Sequence, residues 1–180
     1  MLMTEQDMAV RPLQETDLPT IHGWFQDRDV YNHIVGPYRI RSEVESLEYM
    51  RGWLTNTQNA VRLAILGAPE TTGPLVGMVS LTEIDWTHRF GSYHIIIGAR
   101  DDRGQGHGKR ATDAILRHGF DDLGLRRVEL ELYADNQAAQ ALYEHFGFVK
   151  EGIKRERCHR FGTVVDTLIM GLLARDFKRL

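Results

Sequence analysis

Residues 103–110 read Arg103-Gly104-Gln105-Gly106-His107-Gly108-Lys109-Arg110. Glycine at every second position lets the backbone approach a ligand closely, and the apolar residues that follow have helical spacing. The first turn of a helix offers unpaired N–H groups and the positive end of the helix dipole. The segment therefore predicts a phosphate-binding loop at the start of a helix.

The residues before this loop predict two helices and three antiparallel strands. The first helix begins at Leu18 with Asp17 as its N-cap, and the second follows Ser42 and ends near Asn56. The strands are residues 61–66, 75–81 and 93–97, and residues 67–74 read as a hairpin connection.

The residues after the loop alternate between strands and helices. The helix that follows the loop ends near Gly124, and the next elements are a strand at 127–133, a helix at 136–146 and two strands joined near 161–163. This order predicts one mixed α/β or α+β domain over residues 1–180.

The loop sequence alone leaves several ligands open. A Walker-type loop needs Ser or Thr after its lysine, whereas Arg110 follows Lys109. A dinucleotide-binding loop fits Gly106, Gly108 and Ala111, but the rest of the chain is too short for a doubly wound sheet. The same residues also fit a tight turn without a ligand, or a site for the pyrophosphate of coenzyme A.

A second segment, residues 136–148, reads Asn-Gln-Ala-Ala-Gln-Ala-Leu-Tyr-Glu-His-Phe-Gly-Phe. Asn136 and Tyr143 are seven residues apart, which is two helical turns, so both lie on the same side of the predicted helix. In isolation, Asn136 would be interpreted as an N-cap and Tyr143 as a packed aromatic. Their coincidence with the glycine loop favours a shared site.

The two segments together resemble the GNAT acetyltransferases. Arg103-x-x-Gly106-x-Gly108 resembles the Q/R-x-x-G-x-G/A signature of that family, and residues 136–148 resemble N-x-x-A-x-x-L-Y-x-x-x-G-F. The resemblance covers about Leu63 to Leu173, and Val10-Arg11-Pro12-Leu13 with Asp17-Leu18 is similar to the start of the RimJ/RimL branch. It implies the GNAT acyl-CoA N-acyltransferase fold, a mixed, mostly antiparallel central sheet flanked by helices, with acetyl-CoA as co-substrate.

The resemblance also implies roles for particular residues. Tyr143 would donate a proton to the coenzyme A thiolate. The strand at 93–97 would splay from its neighbour, so that its backbone near Ile96 and Ile97 binds pantetheine and polarises the thioester. The implied acetyl-CoA site consists of Ile96, Ile97, Arg103, Gly104, Gln105, Gly106, His107, Gly108, Lys109, Asn136 and Tyr143.

Several residues are candidates for the general base that deprotonates the acceptor amine. Glu83 is favoured because its place two residues before Asp85 resembles the acid near the acceptor site in RimJ/RimL-like and polyamine-acetylating relatives. The alternative for Glu83 is an exposed strand carboxylate. The remaining candidates are Asp85, His88, His94, Glu129, Glu131 and a water chain.

The acceptor pocket is expected to draw on the N-terminal helices. Aromatic walls with an acidic rim suit a cationic amine. The aromatic residues available on these helices are Trp24, Tyr31, Tyr38 and Trp53, and the residues predicted to contact the acceptor are Trp24, Tyr38 and Asp85. The alternative is that Trp24 and Trp53 pack in the core and that the acidic residues of these helices are only solvated.

The predicted function is acetyl transfer from acetyl-CoA to a primary amine by direct attack in a ternary complex. A protein N-terminus, a polyamine and an aminoglycoside are the acceptors that remain open. A module that binds acetyl-CoA without turnover is an alternative, and so is a dinucleotide-binding oxidoreductase. The presence of Tyr143 favours the enzyme.

Composition narrows the class of protein further. The net charge of −3 over 180 residues argues against nucleic acid as a partner. The oligomeric state is left open by the sequence, and a homodimer is one of the states that it allows. Cys158 is the only cysteine and fits a cytoplasmic location. The eight histidines lack zinc-type spacing, so no metal is expected. Acidic residues near the N-terminus argue against a signal peptide, and no apolar run predicts a membrane segment.

Overall fold

A seven-stranded sheet organises the computed structural model, which describes residues 9–68 and 73–180. The strands are β1 (Ala9–Pro12), β2 (Val61–Leu66), β3 (Leu75–Asp85), β4 (Phe90–Ile97), β5 (Arg127–Tyr133), β6 (Val149–Arg160) and β7 (Thr163–Leu173). The helices are α1 (Leu18–Gln26), α2 (Arg28–Tyr31), α3 (Glu43–Thr55), α4 (His107–Arg117) and α5 (Gln137–Phe146).

The strand order is β1-β2-β3-β4-β5-β7-β6, and β4 and β5 form the parallel pair in an otherwise antiparallel sheet. The side chains of each strand alternate between the two faces of the sheet. Both faces therefore carry apolar side chains, and helices cover both. On one face α4 and α5 bury Ala111, Ile115 and Phe146 against the main core. On the other face α1 and α3 bury Ile21 and Met50 in a second, smaller core. The predicted mixed, mostly antiparallel sheet flanked by helices is confirmed.

Strand β1 was not predicted from the sequence. It has only four residues, ends at Pro12 and pairs with β2 at the edge of the sheet. Proline is tolerated at such an edge because its missing N–H is not needed by a second neighbour. A run this short carries too little alternation to predict a strand.

The predicted N-cap role of Asp17 is wrong. No side chain caps the start of α1 among the described residues, and the Asp17 carboxylate is buried. It accepts hydrogen bonds from the Arg11 guanidinium at 2.7 and 2.8 Å and from the Gln14 backbone N–H at 2.8 Å. Asp17 therefore joins β1 to the turn before α1.

Strands β3 and β4 both extend further into the turn between them than predicted. Their pairing shifts register between Thr82 and Asp85, and Glu83 there has a φ of 51°. A bulge re-aims the side chain that it carries. The predicted connection at residues 67–74 joins two antiparallel neighbours, and its residues 69–72 lie outside the described residues.

Candidate active site

Strands β4 and β5 separate after a short stretch of parallel pairing. Only Phe90–Ser92 of β4 pairs with Arg127–Glu129 of β5, although both strands continue beyond these residues. Among the described strands, none therefore pairs with the later residues of β4 on that side. This opening in the sheet is the splay that the resemblance implied.

The backbone of β4 presents polar groups to the opening. Gly98 N–H donates to the Val76 carbonyl at 2.9 Å, and hydrogen-bonded pairs alternate along an antiparallel ladder. Ile96 therefore bonds toward β3, whereas the N–H and C=O groups of Ile95 and Ile97 face the opening. Of the two predicted residues, Ile97 offers its backbone there, and Ile95 is the neighbour that the sequence prediction missed.

The glycine loop leads directly into α4. Gly104 and Gly106 have φ values of 76° and 81°, and among the described residues no side chain caps the helix. A methyl group at Gly108 would lie 3.8 Å from Ile95 Cδ1 and 4.0 Å from Leu142 Cδ2, so the first turn of α4 sits between β4 and α5. Its N–H groups and the helix dipole fit a pyrophosphate.

The side chains of the loop differ in their hydrogen bonds and in their exposure. Arg103 donates to the Asp29 carboxylate at 2.8 Å and to the Gly98 carbonyl at 3.2 Å, so it ties the loop to α2 and to the end of β4. Burial lowers the pKa of His107. Gln105 and Lys109 are exposed.

Helix α5 carries the second predicted block. The side chain of Asn136 caps it by accepting the Ala139 N–H at 3.1 Å. Tyr143 is buried, with its ring in edge-to-face contact with Tyr93 at 5.7 Å between centroids. Burial raises the pKa of Tyr143, which keeps its hydroxyl protonated at neutral pH. Asn136 and Tyr143 both line the cavity described next.

A cavity of about 1140 Å³ extends from the opening along the sheet face that carries α1 and α3. The register of β2, β3 and β4 puts Arg62, Ser80 and His94 side by side across its floor. Tyr143 lines the same cavity, and so does Glu83. The cavity is therefore continuous from Tyr143 on α5 to the polar residues of its floor.

Glu83 is an exposed side chain at the bulge of β3, and its Oε2 accepts a hydrogen bond from Ser92 Oγ at 2.9 Å. His94 lies nearby, with Nε2 at 3.0 Å from Thr82 Oγ1. Burial lowers the pKa of His94, with Glu83 acting against this shift and Arg62 adding to it. His94 is therefore neutral at pH 7 and lies beside Glu83.

The remaining candidates for the base are engaged elsewhere. Asp85 accepts hydrogen bonds from His88, and the backbone N–H of His88 lowers the pKa of Asp85. Glu129 pairs with Arg127 at 3.0 Å. Glu131 lines the cavity, but it accepts hydrogen bonds from Lys154 and Thr167, which outweigh burial and lower its pKa.

Trp24 and Tyr38 lie outside the residues that line the cavity. Trp24 packs against Gly98, where an added methyl group would clash with the indole ring, and joins the second core. The Tyr38 hydroxyl donates to the Gln26 carbonyl at 3.1 Å. The aromatic lining on this side comes from Phe25, Tyr49 and Trp53, and of these Trp53 is among the aromatics that the sequence offered.

Within residues 9–68 and 73–180, no group of three or more His, Cys, Asp or Glu side chains could hold a metal ion. None of the helices in this part of the chain has both the length and the apolar character of a membrane span.

Comparison with known proteins agrees with this geometry. Residues 7–149 match the acetyltransferase (GNAT) domain family. The chain is 31% identical over 171 residues to spermidine N(1)-acetyltransferase of Vibrio cholerae, covering 94% of this chain and 95% of the relative. It is 29% identical over 155 residues to spermidine N(1)-acetyltransferase of Escherichia coli K12, covering 86% and 77%.

A crystal structure of spermidine N-acetyltransferase from Vibrio cholerae in complex with CoA and spermine superposes with a TM-score of 0.84 at 27% identity, covering 94% of this chain and 97% of that chain. The family excludes the dinucleotide-binding interpretation of the glycine loop. It confirms acetyl-CoA as co-substrate and N-acetyl transfer as the activity. The chain belongs to the GNAT family of acetyltransferases.

Proposed function

We propose that this acetyltransferase modifies the primary amine of a small molecule that enters the cavity from the α1–α3 side. The observation that carries the proposal is the single cavity that contains both Glu83 and Tyr143 and reaches the β4–β5 opening. The relatives from Vibrio cholerae and Escherichia coli are named for spermidine, so this polyamine is the first acceptor to test.

The acetyl-CoA site in this proposal is made mainly of backbone. The first turn of α4 and the loop from Arg103 to Lys109 hold the pyrophosphate through N–H groups. The free N–H and C=O groups of β4 at the opening bind the pantetheine arm and polarise the thioester carbonyl. Asn136 fixes the start of α5, which positions Tyr143 beside the opening.

The reaction needs one base and one acid. Glu83 takes a proton from the protonated amine, whose nitrogen then attacks the thioester carbon. The attack forms a tetrahedral adduct, and as it collapses the C–S bond breaks and Tyr143 gives its proton to the departing thiolate. The second proton lost by the nitrogen restores Tyr143, and the proton on Glu83 goes to solvent. The products are an acetamide and free coenzyme A, and one proton is released overall. Neutral His94 beside Glu83 is the second candidate for the base.

Thiol release from acetyl-CoA with spermidine as acceptor tests this function, and mass spectrometry identifies the acetylated product. We expect release that requires both substrates. Tight binding of acetyl-CoA without release on spermidine or on simple primary amines would contradict the proposal and favour a binding module.

Three finer assignments stay predictions from the sequence. They are membership of the RimJ/RimL-like branch, which depends on the opening residues from Val10, a cytoplasmic location and a homodimer. The free thiol of Cys158 fits a cytoplasmic location.

A further inference from the structure

The charges around the acceptor side of the cavity do not match a polycation. The carboxylates that line the cavity are Glu83 and Glu131, and Glu131 is already paired with Lys154 at 2.7 Å. The acidic residues of the N-terminal helices, from Asp27 to Glu48, do not line it. In the part of the chain that the structure describes, a spermidine molecule would therefore meet one carboxylate without a cationic partner.

Arg62 is a half-buried cation on the cavity floor. Its guanidinium donates to the carbonyls of Asn56 at 3.2 Å and Trp53 at 3.4 Å, and among the described residues no carboxylate lies within 4.0 Å of it. Burial lowers the pKa of Arg62. A guanidinium with only neutral partners in a cavity favours an anionic ligand, because a charge-assisted hydrogen bond is stronger than a neutral one.

A second pocket of about 430 Å³ adjoins the cavity and carries two more arginines. Arg39 and Arg41 line it, none of the described carboxylates does, and the pocket shares Phe25, Tyr49 and Trp53 with the main cavity. The Arg41 guanidinium lies 5.1 Å from the centre of the Tyr49 ring. Arg41 also lies 3.7 Å from the Glu45 carboxylate. Of the three arginines, Arg39 and Arg62 therefore have no carboxylate partner among the described residues.

The distance along this path sets the size of the acceptor. His94 is directly opposite Ser80, which is directly opposite Arg62, so His94 and Arg62 are two strand spacings apart. That separation is about 10 Å. An acceptor that reaches from the His94 end of this row to Arg62 would thus be a chain of about six to eight atoms.

We infer that the preferred acceptor is a primary amine that carries an anionic group, a carboxylate or a phosphate, at its far end. This inference rests on the proposed function and narrows its substrate class. Glu83 meets the amine, and Arg62 binds the anion, with Arg39 and Arg41 extending the positive surface for a larger ligand.

Acceptors of matched length test the inference at saturating acetyl-CoA. Hexylamine, 6-aminohexanoate, 5-aminopentyl phosphate and 1,6-diaminohexane differ in the charge of the far end, and spermidine is measured beside them. We expect the highest kcat/KM for one of the two anionic amines, and their comparison identifies the anion. In Arg62→Gln, the ratio of kcat/KM for that amine to kcat/KM for hexylamine should fall about tenfold.

Arg51→Gln is the matched control, because Arg51 pairs with Glu15 at 2.9 Å and lies outside both cavities. The double variant Arg39→Gln and Arg41→Gln provides a second test if Arg62→Gln fails to fold. Turnover that is highest with spermidine or the diamine, or a ratio that no arginine variant changes, overturns the inference and leaves the proposed function intact. Absence of turnover with every amine overturns both.

Discussion

The two walls of the cavity are built in different ways. The proposed acetyl-CoA wall, formed by the end of β4, the loop 103–109, α4 and α5, offers mainly backbone groups from one continuous segment of the chain. The acceptor wall, formed by α1, α3 and the β2–β3 floor, offers side chains from separate segments. Backbone sites depend on local motifs, whereas side-chain sites depend on how distant segments pack.

The largest effect on kcat is expected from replacing Tyr143, the proposed acid on the acetyl-CoA wall. Tyr143→Phe should lower kcat about 100-fold with little change in acetyl-CoA affinity, because only the proton donor is lost. Steady-state kinetics and calorimetry measure the two quantities.

Tyr93→Phe is the control for this variant, since the Tyr93 ring touches Tyr143 but its hydroxyl bonds to Thr112 Oγ1 at 2.7 Å. It should cost about 1 kcal/mol of stability and leave kcat within a few-fold of wild type. Equal loss of kcat in both variants would remove the acid role of Tyr143.

The next largest effect is expected on acetyl-CoA affinity, when the backbone of the glycine loop is changed. Gly106→Ala places a side chain in a left-handed conformation at the start of α4 and should weaken acetyl-CoA binding about tenfold. Gly124→Ala carries the same strain at a φ of 66°, has no atom within 4 Å of the added methyl and lies outside the loop. The acetyl-CoA affinity of Gly124→Ala should match that of wild type. A similar loss of affinity in both variants would assign the effect to instability of the fold.

The base on the acceptor wall is tested by the pH dependence of the rate. Glu83→Gln should lower kcat about tenfold at pH 7, and less toward pH 10, where the amine loses its proton without help. His94→Gln should change the rate less at every pH. A larger loss of rate in His94→Gln than in Glu83→Gln would assign the role of base to His94, whose lowered pKa keeps it neutral above mildly acidic pH.

The smallest catalytic effect is expected for a residue that only supports the acceptor wall. Trp53 lines both cavities and Trp24 lines neither. Trp53→Phe should raise the acceptor KM severalfold, whereas Trp24→Phe should lower the melting temperature and leave KM within about twofold. A larger KM effect for Trp24→Phe would place that indole in contact with the acceptor.

The same contrast explains what could be predicted from the sequence. The glycine loop and the helix from Asn136 to Phe146 are continuous segments whose spacing is sufficient to predict their structure. Arg62 occupies an ordinary polar position in an alternating strand, and only the pairing of β2, β3 and β4 shows that it lies in one row with Ser80 and His94. Trp24 was assigned to the acceptor by residue type, but its neighbours are set by Gly98, which is 74 residues away in the chain.

Hydrogen exchange with and without acetyl-CoA tests most directly whether backbone groups bind this co-substrate. The amides of Ile95, Ile97 and the first turn of α4 should exchange more slowly in its presence, while that of Gly98, already bonded to Val76, should change least. Protection confined to the acceptor wall, or none at β4 and α4 under saturating acetyl-CoA, would contradict the account.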